Sequence, residues 1–275
     1  MGAIFALGGV VLIQEYGAPK RDDEGNPIED EYSKYSILPQ YLLRFYKEAL
    51  AFKKVIEEPS RTKLLPDPVP EPYIQPPYTL SLEITGVLVH PEWSYYTGWR
   101  FKKRPAVDFF LQQVGPPLFE VIVYTKENGY TAYPIVNSLD PQGYVMYRLF
   151  RDATRYQDGH HMKDLQALNR PIKRVIHVDW DENAIKLNPH NSVRLRKWEG
   201  EMNDRTLMDL AVFLKTIAES GVDDVRGVLE YYSQFEDPLA MFRENQRKLA
   251  EQEMIAQQAA KERVTPAWSA FKARV

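Results

Sequence analysis

The chain has 275 residues, 44% of them hydrophobic and 27% charged, enough for one large globular domain with tails or two small ones. It contains no cysteine, which excludes disulfides, thiolate metal sites and cysteine nucleophiles. With 35 basic against 38 acidic side chains the net charge is -3, which argues against bulk electrostatic capture of nucleic acid.

Gly2 to Ile13 (GAIFALGGVVLI) is free of charge. As a helix it covers about 18 Å, short of a hydrocarbon core of about 30 Å. It lacks the basic start and small-residue cleavage site of a secretory signal. We expect residues 1–13 to be part of a transmembrane segment whose beginning precedes this sequence; a buried or disordered apolar tail is the alternative. Gln14 to Glu31 is polar and acidic, as a segment leaving a membrane is, and Pro19 to Asp30 reads as a linker. Ile37 to Ile56 carries Leu42, Leu43, Phe45, Tyr46, Leu50 and Phe52 at helical spacing with Pro59 beyond, and predicts an amphipathic helix. Leu64 to Tyr78 is proline-rich and predicts an extended strap. Residues 14–78 thus form linker, helix and strap.

From Thr79 the pattern changes. TLSLEITGVLV, Pro117 to Thr125 and Lys173 to Trp180 read as strands, the last two apolar enough to be covered on both faces. Ala106 to Val114, Thr131 to Leu139 and Lys163 to Leu168 read as helices between them, and Thr206 to Ile217 and Val222 to Tyr232 as helices after them. This alternation predicts an α/β domain over residues 79–235 with a central parallel sheet. Residues 236–275 predict a solvated helix over Pro238 to Arg263, capped by Asp237, and a disordered tail from Thr265 to Val275.

In open parallel sheets ligands sit beyond the carboxyl ends of the strands. There the sequence offers Glu83 and Thr85 after the first strand, Thr125 after the second, Asp179 after the third, and Lys163 before it. Singly, a threonine there is a backbone cap and a lysine a solvated charge. As a set they would surround a phosphate and a magnesium ion.

The strings LEITGVLVH, KRPAVDFF, LFEVIVYT, VIHVDW and LNPHNSVRLRKWEG resemble the polymerase C-terminal-domain phosphatase branch of the haloacid dehalogenase superfamily. The resemblance implies a haloacid-dehalogenase-like three-layer fold with a central parallel sheet, a protruding β-hairpin, and helical N- and C-terminal extensions. It also implies a nucleophilic aspartate and an acid/base aspartate at the end of the first strand, where this chain carries Glu83 and Thr85. Glutamate displaces the carboxylate by a methylene, and a misplacement of about 1 Å costs on the order of 100-fold. Threonine cannot exchange a proton near neutral pH, a function worth about 10²–10⁴ in rate. The expectation is a chain that is not an enzyme, with no catalytic residues, no cofactor and no metal, and with Glu83, Thr85, Thr125, Lys163 and Asp179 as remnants. An active magnesium-dependent aspartyl-type protein phosphatase is the alternative, because Thr125, Lys163 and Asp179 are retained.

GVLVHPEWSYYTGWRFKKRP, YRLFRDATRYQDGHHMKDL and FLKTIAESGVDDVRGVLEYY are similar to the presequence-receptor subunits of the mitochondrial inner-membrane translocase. That resemblance implies a non-catalytic receptor in the intermembrane space, anchored in the mitochondrial inner membrane by a single N-terminal helix. It would bind targeting presequences and hand them to the channel subunit, with the other translocase subunits as partners and no nucleic acid. Presequences are basic amphipathic helices, so a receptor needs an apolar groove and carboxylates; Glu83 and Asp179 are candidates for the latter. By the same resemblance a hairpin carrying Trp93, Tyr95, Tyr96 and Trp99 around Thr97-Gly98 contacts the channel subunit, with Arg100 and Lys103 as charged contacts. Asp164, Leu165, Leu168 and Asn169 form a second candidate surface, with core packing the other reading of the two leucines. His160 and His161 are adjacent and point apart, which reads as structural or solvated histidine rather than a metal pair.

Overall fold

The computed structural model describes residues 2–272, with side chains over 8–259. They fall into two compact units, one running to Ser60 and including Arg155–Gly159, the other holding Arg61–Thr154 and resuming at His160.

The first unit contains α1 (Gly2–Tyr16) and α2 (Ile37–Glu57). Gly17 ends α1 so close to α2 that a Cβ there would lie 2.3 Å from the Tyr41 carbonyl oxygen, which only glycine permits. The segment before α2 folds back on it: Arg44, nearly buried, donates from Nε and Nη2 to the two Asp30 carboxylate oxygens at 2.8 and 2.9 Å, and Lys47 reaches Glu31 at 2.7 Å. Among the described residues no helix is long and apolar enough to cross a membrane.

The second unit is α/β. Its strands in chain order are β1 (Tyr78–Leu82), the hairpin β2 (Val89–Ser94) and β3 (Gly98–Lys103), β4 (Phe119–Tyr124) and β5 (Val145–Leu149). After β6 (Arg155–Gln157), which belongs to the first unit, come β7 (His160–Met162), β8 (Val175–Asp179) and β9 (Ser192–Arg194). Five of them make a parallel sheet in the order β5-β4-β1-β8-β9, with Leu80 level with Val121 on one side and Ile176 on the other. Every residue of β1, β4 and β8 is buried, which is why those strands read as continuous apolar runs rather than alternating ones.

One face of the sheet is covered by α3 (Val107–Val114), α4 (Gly129–Leu139) and α6 (Thr206–Glu219), whose Phe110, Val136, Leu210 and Leu214 pack with Leu80, Leu82, Val121 and Val178. On the other face Ile122, Tyr124 and Val175 meet Leu165 and Leu168 and the start of the strap, Leu64 and Leu65. Arg170 fastens the strap further: it holds the Glu120 carboxylate from Nε and Nη2, each at 2.7 Å, and donates from Nη1 to the Pro66 carbonyl at 2.7 Å. The remaining helices are α5 (Glu182–Ile185), α7 (Arg226–Ser233) and α8 (Pro238–Lys272).

Three expectations change. The first strand stops at Leu82, because Gly86 takes φ +82° and turns the chain. Lys163 to Leu168 is not a helix: a single 3-10 turn spans Leu165–Leu168, capped by the Asp164 carboxylate accepting from Gln166 N at 3.1 Å. The terminal helix does not stop at Arg263 but continues to Lys272, through Pro266, an extension that local propensity does not explain. The last part of the tail, residues 273–275, lies outside the described residues.

Candidate functional site

The sheet topology brings the remnants together. Glu83 follows β1, Thr125 follows β4, and Asp179 closes β8; since these strands are neighbours and parallel, all three reach the same end of the sheet. Lys163 enters from the segment between β7 and the 3-10 turn. All four are buried, Glu83 and Asp179 at 1% exposure and Thr125 and Lys163 at 0%.

Buried charges need partners, and here they have each other. Lys163 Nζ bridges Glu83 Oε2 at 2.6 Å and Asp179 Oδ2 at 2.5 Å. The Thr125 hydroxyl donates a very short bond to Glu83 Oε1, which also accepts from Ile84 N at 2.8 Å. Asp179 Oδ1 accepts from Trp180 N at 2.6 Å and Asp181 N at 2.9 Å. Burial alone would pull the Lys163 pKa down, but the Glu83 and Asp179 carboxyls outweigh it and raise it. Burial likewise pushes Asp179 up, yet Lys163, His177 and the Asp181 N–H hold it well below the usual carboxylate range. His177, two residues before Asp179 on β8, is held neutral chiefly by burial; its Nδ1 lies 2.9 Å from Ser81 Oγ.

This geometry leaves little for a phosphate. The threonine hydroxyl and the lysine ammonium that would orient and neutralise a phosphoryl group are bound to the Glu83 carboxyl. The Thr85 hydroxyl, at the position of the proton shuttle, is buried without a hydrogen-bond partner. A magnesium ion does not fit the donor set either: both Asp179 oxygens are engaged by donors, and Lys163 stands between the two carboxyls. Among the described residues no group of three or more His, Asp or Glu side chains is placed to hold a metal.

The expectation that Glu83 and Asp179 offer negative charge to a basic peptide is therefore corrected: both are buried, and their oxygens are taken by Lys163, Thr125 and backbone N–H groups. The Trp180 ring is flanked by Lys126 Nζ at 4.7 Å and Lys197 Nζ at 4.6 Å, and Lys126 pairs with Asp181 at 2.7 Å. Trp180 Nε1 donates to the Thr85 carbonyl at 2.7 Å, and a Cβ on Gly86 would lie 2.5 Å from that nitrogen.

The hairpin is a second candidate surface. β2 and β3 pair antiparallel from Val89 opposite Lys103 to Ser94 opposite Gly98, with Trp93 facing Trp99. The turn is held by Thr97 N donating to Ser94 Oγ at 3.2 Å. Its aromatics are out in solvent: Trp93 is 58% exposed, Trp99 69%, Tyr95 86% and Tyr96 94%. Arg100 is exposed as well, whereas Lys103 is tied to Asp108 at 2.5 Å.

The third group comes apart. Leu165 and Leu168 are buried in the core beside Leu64 and Leu65, so they form no surface and core packing accounts for them. Asp164 caps the 3-10 turn, and Asn169, at φ +56°, donates to Asp67 at 2.8 Å. His161 lies with Nδ1 2.8 Å from Thr154 Oγ1.

Sequence reasoning overlooked His177, Lys126 and Trp180 at this end of the sheet, and the buried Glu120–Arg170 pair. A charged or titratable residue inside a fully apolar strand, as in FEVIVY and VIHVD, is the available signal, since such a group is retained only with a partner.

The profile of the NLI interacting factor-like phosphatases matches residues 78–226. A zebrafish (Danio rerio) protein named mitochondrial import inner membrane translocase subunit TIM50 is 53% identical over 254 residues, which cover 92% of this chain and 65% of the zebrafish protein. The fruit-fly (Drosophila melanogaster) subunit TIM50-B is 51% identical over 252 residues, 90% of this chain and 61% of its own. The human TIM50 is 51% identical over 252 residues, 92% of this chain and 71% of its own. The chain thus spans roughly two thirds of the length of these relatives.

Proposed function

The chain belongs to the TIM50 family of mitochondrial import inner membrane translocase subunits, with an NLI interacting factor-like phosphatase domain, and we propose that it is a non-catalytic receptor for mitochondrial targeting presequences. In this reading it works in the intermembrane space, hands presequences to the channel subunit, and is held at the inner membrane through the apolar segment that includes α1. The hairpin aromatics Trp93, Tyr95, Tyr96 and Trp99 with Arg100 form the contact to the channel subunit.

One observation carries the loss of catalysis: the Glu83 carboxyl consumes the Thr125 hydroxyl and, together with Asp179, the Lys163 ammonium. A group that must leave its own salt bridges before meeting phosphorus is not preorganised for attack. The exposed hairpin supports the receptor role, because large apolar side chains left in water on a rigid element are the anchors of protein interfaces.

Binding of the full chain to labelled basic amphipathic presequence peptides tests the reading, with salt as the variable. Binding that weakens as ionic strength rises is expected. No binding to any of several presequences at low salt overturns it.

A further inference from the structure

The central sheet ends on an open edge. β9 is its last strand and pairs with β8 alone. Leu195 N donates to the Asp179 carbonyl at 2.9 Å, so in this parallel ladder Val193 and Leu195 turn their backbone groups to β8, and Arg194 between them turns its own outward. The Ser192 N–H is taken by the Pro189 carbonyl of the 3-10 turn Pro189–Asn191. The Arg194 N–H and C=O have no hydrogen-bond partner among the described residues.

This edge lines a groove of about 580 Å³ together with α5, the 3-10 turn, α7 and the link from α7 to α8. The apolar part of the lining comes from Ile185, Pro189, Val193, Leu229, Tyr232 and Phe235. The edge is recessed, with Ser192 and Val193 each only 4% exposed. Charges of both signs stand around it and meet one another: Arg194 pairs with Glu182 at 3.0 Å, and His190 lies 3.8 Å from Glu230.

The chemistry of the groove selects its occupant. An open backbone N–H and C=O are answered by another extended backbone, whereas a helix keeps those groups for itself. Apolar walls beside such an edge take the side chains of alternate residues, those on one face of an added strand. A second copy of this chain does not fit, because its own β9 edge is equally recessed and two recessed edges cannot meet. What enters is a single extended segment with nothing packed against it. Since the charges around the groove are already paired, the segment is held by backbone bonds and apolar contact rather than by its charge.

We propose that the β9 edge is a protein-binding site that takes an extended segment of another protein, apolar at alternate positions, as a sixth strand of the central sheet.

Selection of a phage-displayed library of random peptides on the full chain, followed by anisotropy titration of the selected peptides, tests this. The peptides are expected to carry apolar residues at every second position. Arg194→Ala keeps the outward N–H and is expected to bind them within about threefold of the parent, since an exposed ion pair contributes little. Arg194→Pro removes that N–H without touching the ladder to β8, a place where an edge strand tolerates proline, and is expected to weaken binding at least about tenfold. Ser233→Trp, which fills the groove from α7 and leaves β9 unaltered, is expected to give the same loss, so the outcome does not hang on how Arg194→Pro folds. The Arg194 amide is expected to exchange its hydrogen at least about tenfold more slowly with peptide bound. Binding is expected to be the same at low and high salt, which separates this site from capture of basic presequences. Selected peptides with helical spacing, no selected peptide that protects the Arg194 amide, or binding that both Arg194→Pro and Ser233→Trp leave intact overturns the proposal.

Discussion

The sealed cluster at the end of the central strands and the hairpin beside it are both rich in the residue types that mark functional sites, and they differ in one respect. In the cluster every formal charge is answered within the molecule: Lys163 meets Glu83 and Asp179, and the remaining carboxyl oxygens meet hydroxyl or backbone N–H groups. In the hairpin Lys103 and Lys102 are paired, with Asp108 and the Gly200 carbonyl, but the aromatic side chains are left in water, Tyr95 86% and Tyr96 94% exposed. Charge satisfied internally holds the fold, whereas exposed aromatic surface is what the proposed contact to the channel subunit would use.

Substitutions break this comparison in order of size. Lys163→Met leaves two carboxyls buried without a counter-charge. It is expected to destabilise by about 3–5 kcal/mol and to lower the melting temperature on the order of 10 °C, read by calorimetry. A melting temperature within a degree of the parent would mean that the cluster does not hold the fold. Gly86→Ala forces a side chain into a left-handed backbone conformation and against the Trp180 indole nitrogen. It is expected to cost about 1–3 kcal/mol by urea unfolding.

Acid sharpens the same point. His177 has its usual pKa of 6.5 in the unfolded chain and a lower one when buried in the fold. The unfolded state therefore binds more protons, and stability falls as pH drops through 6.5. His161, lowered by partial burial and by Arg151 and Lys126, adds in the same sense. Asp179 is lowered from 3.8, so its contribution is full above that value and is lost as pH falls below it. Lys163 is raised from 10.5, so its contribution is present across the neutral range and is lost only as pH rises through the raised value. Urea midpoints measured from pH 8 to pH 3 are expected to decline in two stages, and His177→Gln to diminish the upper one. The hairpin variant Tyr95→Ala/Tyr96→Ala is expected to change stability least, by under about 0.5 kcal/mol, while weakening binding to the channel subunit at least about tenfold. Unaltered binding would remove the hairpin from the interface.

The contrast also explains what was legible in the sequence. Continuous apolar runs give the parallel strands, and strand ends give Glu83, Thr125 and Asp179, because register and direction follow from local pattern. Lys163 is found only through its order in the set. The pairing of Glu120 with Arg170, 50 residues apart, leaves no periodic trace. Nor does the burial of Leu165 and Leu168, which sit on a turn too short to show an apolar face, and whose cover is the strap. The hairpin aromatics were legible as a group, since two tryptophans and two tyrosines around Thr97-Gly98 have no core to enter on a two-stranded element.

The most direct test of the central claim is turnover of phosphotyrosine and phosphoserine peptides by the full chain with magnesium, beside its Glu83→Ala variant. The account predicts no hydrolysis above the blank for either protein. Hydrolysis by the parent chain that Glu83→Ala abolishes would show Glu83 free to attack phosphorus, and would contradict it.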